Sequence, residues 1–426
     1  MLDMKRIRER FDEVVAGEKR RNNELFVQLV TEARDLDVER RKLLGQSDTL
    51  KTERNSRSKE IGALKKAGAD TTQVQAEVRA IGDRILEMDA QIRTLEEKLS
   101  DVMLRIPNVP ASDIPTGPDA SANEVVRTVG TRREFSFKPL DHIELGAKLG
   151  LFDLERAAKV TGAGFPMLVG NGAKLQRALI QYMLDMHTTR HGYTEVLPPF
   201  IVNTDSMRGT GQLPKMAEDM YHCEVDDFWL VPTAEVPVTN IHRNEILPEL
   251  PVYLTAYTPC FRREAGSAGK DTRGIKRVHQ FDKVEMVKFV DPATSYDELE
   301  SLVQNAGDVL EGLGLHYRVL KLCTGDISFS CAKCYDLELW APAGDEWLEV
   351  SSCSNFEDFQ ARRLNCRYRG ADGKPHLVHT LNGSGVALPR LMIALLEQCQ
   401  QEDGSVLLPE AIRPYMNGME RLLPVK

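Results

Sequence analysis

The densest chemistry in the chain lies in one run, TAYTPCFRREAGSAGKDTRGIKRVHQFDKVEMV, from Thr255 to Val287. Arg262 and Glu264 stand two residues apart, and in an extended strand that spacing sends both side chains to one face. A loop rich in Gly and Ser follows. Arg277, Phe281 and Glu285 then recur in steps of four, which again keeps one face of a strand. Two antiparallel strands joined by that loop bring Arg262, Glu264, Phe281 and Glu285 onto one surface. Cations for phosphate, an aromatic plate for a base and carboxylates for an amine or hydroxyl are the parts an adenylating site requires. Taken singly, Arg262 with Glu264 reads better as a cross-strand ion pair and Phe281 as a core residue; their conjunction favours a site.

Any nucleotide site here must be built without the common phosphate loops. The sequence has no GxxxxGK[ST] and no GxGxxG after a strand. Cys331-Ala332-Lys333-Cys334, with Cys323 and Cys353 nearby, is a single CxxC. One such pair is weak support for zinc, and a packing cluster of reduced thiols is the plainer reading.

Three segments in order resemble the motifs of class II aminoacyl-tRNA synthetases. A helix from Lys174 to Arg190 runs into Gly192-Tyr193 with Pro199 beyond, similar to motif 1. Phe261-Arg262-Arg263-Glu264, the loop and Phe281 resemble motif 2. Asn382-Gly383-Ser384-Gly385-Val386-Ala387-Leu388-Pro389-Arg390 resembles motif 3, in which glycines open a helix bearing an arginine. The longer strings TAEVPVTN (233–240), EAGSAGKDTRG (264–274), SSCSNFEDFQARR (351–363) and HTLNGSG (379–385) are similar to the bacterial seryl-tRNA synthetase family. The resemblance spans essentially the whole chain.

The resemblance implies an ATP-dependent ligase that forms seryl-adenylate and then loads the serine onto tRNA(Ser). It implies the same for tRNA(Sec) where that RNA exists. Arg262, Glu285 and Arg390 are the catalytic residues it implies. Arg262, Arg263, Glu264, Arg277, Phe281, Glu349, Val350, Ser351, Ser352 and Arg390 would hold ATP. Glu349 and Ser352 would do so partly through Mg2+, a hard ion that takes oxygen ligands. Thr233, Ala234 and Glu235 would sit by the serine ammonium, and Arg262 by its carboxylate. Glu285 and Ser384 would bind the serine hydroxyl, so that alanine leaves a buried polar pair unmatched. Three residues depart from the usual pattern. Arg263 and Lys270 are expected to face outward or lie in the loop, and Pro389 needs a helix start close by.

These residues need a scaffold, and the chain divides visibly. Val74, Val78, Ile81, Ile85, Met88, Ile92, Leu95, Leu99 and Val102 alternate in steps of four and three, an a/d seam on one long helix. Leu36, Leu43, Leu50 and Leu64 keep a seven-residue step upstream. Gly68 suits a helix C′ position, and Asp70 or Thr71 the next N-cap. The turn predicts an antiparallel hairpin with arms of roughly 45–50 Å. Such heptads also suit simple oligomerisation, but the turn lets each helix satisfy its seam within the chain. Ser47, Arg54 and Arg57 weaken the seam toward the tip, and the resemblance makes this hairpin the tRNA-binding arm.

Pro107, Pro110, Pro115 and Pro118 mark a linker. The expected organisation is a helical arm over 1–106, a linker over 107–130 and a catalytic domain over 131–426. The last is an α+β fold, an antiparallel β-sheet core flanked by helices. Strands are expected at Tyr193–Leu197, Trp229–Val231, Val284–Phe289 and Trp347–Ser351.

Composition bounds the setting. The 426 residues carry a net charge of −9, with 42% hydrophobic and 28% charged residues. That excludes a generally basic nucleic-acid binder and requires any RNA contact to be local. Eight dispersed cysteines and an opening too acidic for a targeting peptide point to the cytoplasm. No apolar run is long enough to span a bilayer. The class implies a homodimer paired through motif 1. Two rival readings are an adenylating paralogue that loads a carrier protein, which lacks the arm, and a coiled-coil adaptor with a decayed enzyme domain. Intact Arg262, Glu285, Glu349 and Arg390 oppose the second.

Overall fold

A computed structural model describes residues 1–265 and 273–425. Lys270, one of the departures noted above, lies outside the described residues. The chain forms two compact units: residues 2–19 with 23–107, and residues 20–22 with 108–426, to which Met1 also belongs.

The first unit is helical. Two short helices, α1 (Met4–Glu9) and α2 (Phe11–Lys19), precede α3 (Glu24–Lys66) and α4 (Thr72–Arg105). At 43 residues α3 is about 65 Å long, beyond the expected arm, because its start carries no heptad signal but is capped by Asn23. The reversal is built as its residues suggest. Gly68 takes φ +69° and the Ala69 N–H reaches back to the Leu64 carbonyl at 3.0 Å. The Asp70 carboxylate then accepts from the Thr72 N–H at 2.9 Å. Ile81, Ile85, Ile92, Leu95, Leu99 and Val102 bury their seam, with Leu50 packed against Ile81 and Ile85.

Toward the tip two expectations change. Ser47 is fully buried and donates to Asp89 at 3.0 Å, so it joins the seam as a hydrogen-bonding layer. Arg57 pairs with Glu60 at 3.0 Å and with Glu77 at 3.7 Å, so it is already engaged within the hairpin.

In the second unit the described residues build an eight-stranded sheet. Its strands are β1 (Glu124–Val129), β2 (Thr194–Glu195), β3 (Val252–Phe261), β4 (Gln280–Val290), β5 (Tyr317–Lys321), β6 (Lys333–Ala341), β7 (Glu346–Asn355) and β8 (His379–Ala387). The spatial order is β1-β5-β6-β7-β8-β4-β3-β2. Every neighbouring pair is antiparallel except β2 with β3, which is parallel. Helices α5 (Asn171–Thr189), α6 (Glu235–Thr239), α7 (Ser295–Gly312), α8 (Phe359–Leu364) and α9 (Leu388–Cys399) accompany it. One large core joins Leu175, Leu179 and Met183 of α5, Leu302 and Val309 of α7 and Leu391 and Leu395 of α9 to the sheet residues Met286, Leu337 and Val350. The fold is the expected α+β arrangement.

Two strand expectations are corrected. The strand placed at Tyr193–Leu197 shortens to Thr194–Glu195. Trp229 lies in a strand, Phe228–Leu230, but in a separate small sheet. The stretch 107–130, expected as a Pro-rich linker, is packed and hydrogen-bonded within the second unit from Asn108 onward. Val109 and Ile114 are buried, the Asn108 amide donates to the Ser330 and Phe356 carbonyls at 3.1 and 2.8 Å, and 124–129 is the edge strand β1. Prolines there restrict the backbone, but the apolar residues between them decide the outcome by packing with Leu320, Ile327 and Cys331.

Candidate active site

A cavity of about 770 Å3 opens in the second unit. Its lining gathers Thr233, Glu235, Arg262, Glu264, Arg277, Phe281, Glu285, Glu349, Val350, Ser352, Ser384 and Arg390, twelve of the fifteen site residues expected from sequence. Arg263, Ala234 and Ser351 stand apart. Arg263 is exposed, with its N–H on the Asp219 carbonyl at 2.7 Å. Ala234 is buried in a second apolar cluster. Ser351 is buried and donates to the Ser384 carbonyl at 2.6 Å, bracing β8 from the far side.

How the twelve converge differs from the simple strand picture. β3 ends at Phe261, so Arg262 and Glu264 are not strand neighbours. The Arg262 N–H still reaches the His279 carbonyl at 2.9 Å, but Glu264 takes φ +50° and turns the chain away from the ladder. Arg277 likewise precedes β4, while Phe281 and Glu285 lie within it. The carboxylate of Glu264 pairs with Arg277 at 2.8 Å, not with Arg262. The Arg262 guanidinium instead donates to the Pro232 carbonyl at 3.2 Å and lies 5.2 Å from the Phe281 ring centroid. A cation and an aromatic plate therefore share one wall.

Glu349 and Ser352 are three residues apart, an odd spacing that puts strand residues on opposite faces. The β6–β7 register slips at this point: Glu338 faces Glu349, while Leu337 faces Ser351. The extra residue is Val350, and this bulge turns both oxygen donors to the cavity. Glu349 offers a half-exposed carboxylate, with Arg390 donating to it at 3.5 Å and to its carbonyl at 2.9 Å. The Ser352 hydroxyl lies 3.1 Å from the Cys334 thiol. A carboxylate and a hydroxyl are hard oxygen donors, and the pair fits a Mg2+ ion carried with ATP phosphates.

Arg390 comes from α9, whose first turn contains Pro389 as that residue requires. Gly383 and Gly385, expected to open this helix, belong instead to β8. Their reason is close approach. A Cβ on Gly383 would lie 2.7 Å from the Cys353 sulfur, and one on Gly385 would lie 2.5 Å from Nε2 of His187.

The floor of the cavity is polar and buried. Glu285 and Ser384 are cross-strand partners in the β4–β8 register. Glu285 forms a close ion pair with Lys283, and Lys283 donates to the Thr233 hydroxyl at 2.8 Å. Lys283 was missed in the sequence because its even spacing from Glu285 resembles an ordinary strand pair. Asn382, two residues before Ser384 on β8, was passed over in the same way. Glu235, at the head of α6, accepts from the Gln360 amide at 2.6 Å. Burial and the nearby Glu285 charge push its carboxyl up to about 7, against the opposing pull of Gln360, Lys283 and Asn382. Cys331 and Cys334 are buried among Ile114, Leu320 and Phe356.

Arginines from a loop and from a helix start thus meet an aromatic plate and oxygen donors on an antiparallel sheet, the architecture of the class II aminoacyl-tRNA synthetase core. Residues 221–399 match the tRNA synthetase class II core domain of the G, H, P, S and T group, and residues 1–110 match the seryl-tRNA synthetase N-terminal domain. A serine–tRNA ligase of Geobacter sulfurreducens is 53% identical over 428 residues, covering 99% of this chain and all of the relative. The seryl-tRNA synthetase of Pyrococcus horikoshii, solved with ATP, superposes with a TM-score of 0.96 at 38% identity over the full length of both chains. A cytoplasmic serine–tRNA ligase of Naegleria fowleri, solved with AMP, gives a TM-score of 0.91 at 28% identity, covering 100% and 99%. The chain belongs to the serine–tRNA ligase family, and its activity is that of an ATP-dependent ligase. Among the described residues no helix is long and apolar enough to cross a membrane.

Proposed function

We propose that the cavity activates serine and that the helical arm presents the tRNA which receives it. Phe281 stacks on adenine beside the Arg277–Glu264 pair, and Arg262 lies against the α-phosphate. The serine carboxylate attacks the α-phosphorus, the bond to the leaving pyrophosphate breaks, and seryl-adenylate remains. Charge gathers on the equatorial oxygens in this step, and a fixed guanidinium stabilises it without reorganising water. Arg390 and Arg277 hold the departing phosphates. Glu349 and Ser352 would hold the Mg2+ that supplies further positive charge there. In the second step the 3′-terminal ribose hydroxyl of the tRNA attacks the seryl carbonyl and displaces AMP.

Serine is read by its two polar ends. Thr233 and the Glu235 carboxylate take the ammonium; Glu285 and Ser384 take the hydroxyl. The observation that carries this reading is the β4–β8 register, in which Glu285 and Ser384 stand directly opposite each other on the cavity floor. Lys283 fixes Glu285 from the side. An amino acid without the hydroxyl leaves buried acceptors unmatched, which is a far stronger filter than fit alone.

Residues 1–106 act in this reading as the tRNA-binding domain and 131–426 as the catalytic one, with 107–130 connecting them. The arm serves tRNA(Ser) and, where it exists, tRNA(Sec), recognising helical shape and backbone. Two copies pair through the helix containing Lys174–Arg190, and the enzyme works in the cytoplasm. Exchange of labelled pyrophosphate into ATP, run across the amino acids, tests the central claim. Exchange with serine and negligible exchange with alanine or threonine is expected; comparable exchange with alanine would overturn the hydroxyl-reading role.

A further inference from the structure

We propose that Gln360 is a positioning residue for serine: its side-chain amide holds Glu235 aimed and charged for the substrate ammonium. The residue lies on α8 and is 1% exposed, outside the cavity lining. Its Nε2 donates to the Glu235 carboxylate at 2.6 Å and to the Thr210 carbonyl at 3.2 Å. Its Oε1 accepts from the Thr380 hydroxyl at 2.7 Å.

These three bonds fix the amide's orientation. Reversing it would set the amide oxygen against the Thr210 carbonyl and the Glu235 carboxylate, neither of which can donate as a carbonyl and an anion. The Thr380 hydroxyl, itself held on β8, therefore locks a donor onto Glu235 through Gln360. The bond is charge-assisted, which places it among the stronger kind. The Gln212 amide approaches the other Glu235 oxygen at 3.5 Å and adds little.

Glu235 needs such a donor because its other surroundings are divided. From β4 the Glu285 carboxylate opposes its charge and the Lys283 ammonium favours it; from β8 the Asn382 amide lies beside it. Its carboxyl titrates at about 7, so the anion that binds an ammonium is only partly populated near neutral pH. A neutral carboxylic acid attracts an ammonium far less. Removing the Gln360 donor raises the pKa further, since hydrogen bonding to the charged form is what favours it. The acid limb of kcat/KM for serine, which reports free-enzyme ionisations, then moves to higher pH.

This inference rests on the reading of Glu235 as the ammonium partner, and the experiment separates the two. Gln360→Leu, Gln360→Glu, Thr380→Val and Glu235→Gln are assayed by serine-dependent pyrophosphate exchange from pH 6 to 9, with KM measured for serine and ATP and Tm recorded. Both Gln360 variants are expected to raise KM for serine by about tenfold or more, the loss of one charge-assisted bond, with KM for ATP nearly unchanged. Their acid limb shifts to higher pH, furthest in Gln360→Glu, where a second carboxyl faces the first. Thr380→Val shows the same changes at smaller size, and it decides the matter if the Gln360 variants fail to fold. An unmoved limb and unchanged serine KM, with Glu235→Gln severely impaired, would overturn the role of Gln360 alone. Equal rises in KM for serine and ATP would also overturn it, as they mark a general structural defect. Wild-type serine KM in Glu235→Gln would remove the reading of Glu235 and the inference with it.

Discussion

Glu285 is 2% exposed and holds a carboxylate against the Lys283 ammonium, with the Thr233 hydroxyl donating weakly at 3.4 Å. Such a group persists in a dry site only because it is paired. In the proposed reading, truncating it removes the acceptor for the serine hydroxyl, and it leaves Lys283 without its partner carboxylate. Glu285→Ala is therefore expected to lower kcat/KM for serine by roughly two to three orders of magnitude, the range seen when a buried polar match is lost. ATP binding, assigned in the proposed reading to Arg262, Phe281 and Arg390, should change by less than about threefold. Equilibrium binding of a non-hydrolysable ATP analogue and serine-dependent exchange measure the two effects separately. Serine activation within twofold of the wild type would remove Glu285 from the hydroxyl-reading role.

Single residues act here through the elements that aim them, and two irregular places matter most. The bulge at Val350 swings Glu349 and Ser352 to one side of β7. On β8, the register shifts between Ser384 and Val386, so that Gly385 sits at a break in the ladder with His187 of α5 packed over it. His187 is fully buried, and desolvation lowers its pKa to about 3, so it remains a neutral ring throughout the working pH range. It has no room to retreat from an added methyl group. Gly385→Ala should force β8 or α5 apart and cost about 1–3 kcal/mol of stability, as overpacking of a tight core does. Because Ser384 precedes the glycine, serine KM should rise more than ATP KM. Chemical denaturation with both kinetic constants checks this; wild-type stability and kinetics would show that the close approach is not a constraint.

At the scale of the molecule, the proposed reading divides the labour between the two units. None of the residues assigned to ATP or serine belongs to the helical unit. The α3–α4 seam closes on itself through Leu50, Ile81 and Ile85, and none of these residues belongs to the large core of the second unit. Joining residues 36 and 102 by a short Gly/Ser link should leave serine-dependent pyrophosphate exchange nearly intact. Charging of tRNA should fall by about two orders of magnitude or more through weaker tRNA binding, because the backbone contacts of the arm supply affinity. Both assays belong on one preparation, with circular dichroism confirming a folded body. Equal loss in both would mean the hairpin is structural; unchanged charging would mean it does not hold the RNA. Arg57, near the tip, is paired within the hairpin with Glu60 and Glu77.

The sequence by itself determined the helical hairpin, its turn at Gly68 and the identity of twelve residues of the cavity wall. Heptad spacing and turn chemistry are local signals, readable because a helix satisfies its backbone within itself. The residue types at 262, 277, 281 and 285 were legible for a similar reason, since phosphate, base and hydroxyl each demand a particular side chain, while Arg390 was legible through the resemblance of its motif. Only the tertiary structure decided how those side chains meet. Glu264 pairs with Arg277 because the chain leaves β3 at a positive φ. Glu349 joins Ser352 through a bulge that no two-residue periodicity reveals. Gln360 finds Glu235 across 125 residues, and Lys283 finds Thr233 across 50. Register, bulges and buried polar partners are set by packing between segments distant along the chain, where burying a group makes its partner obligatory.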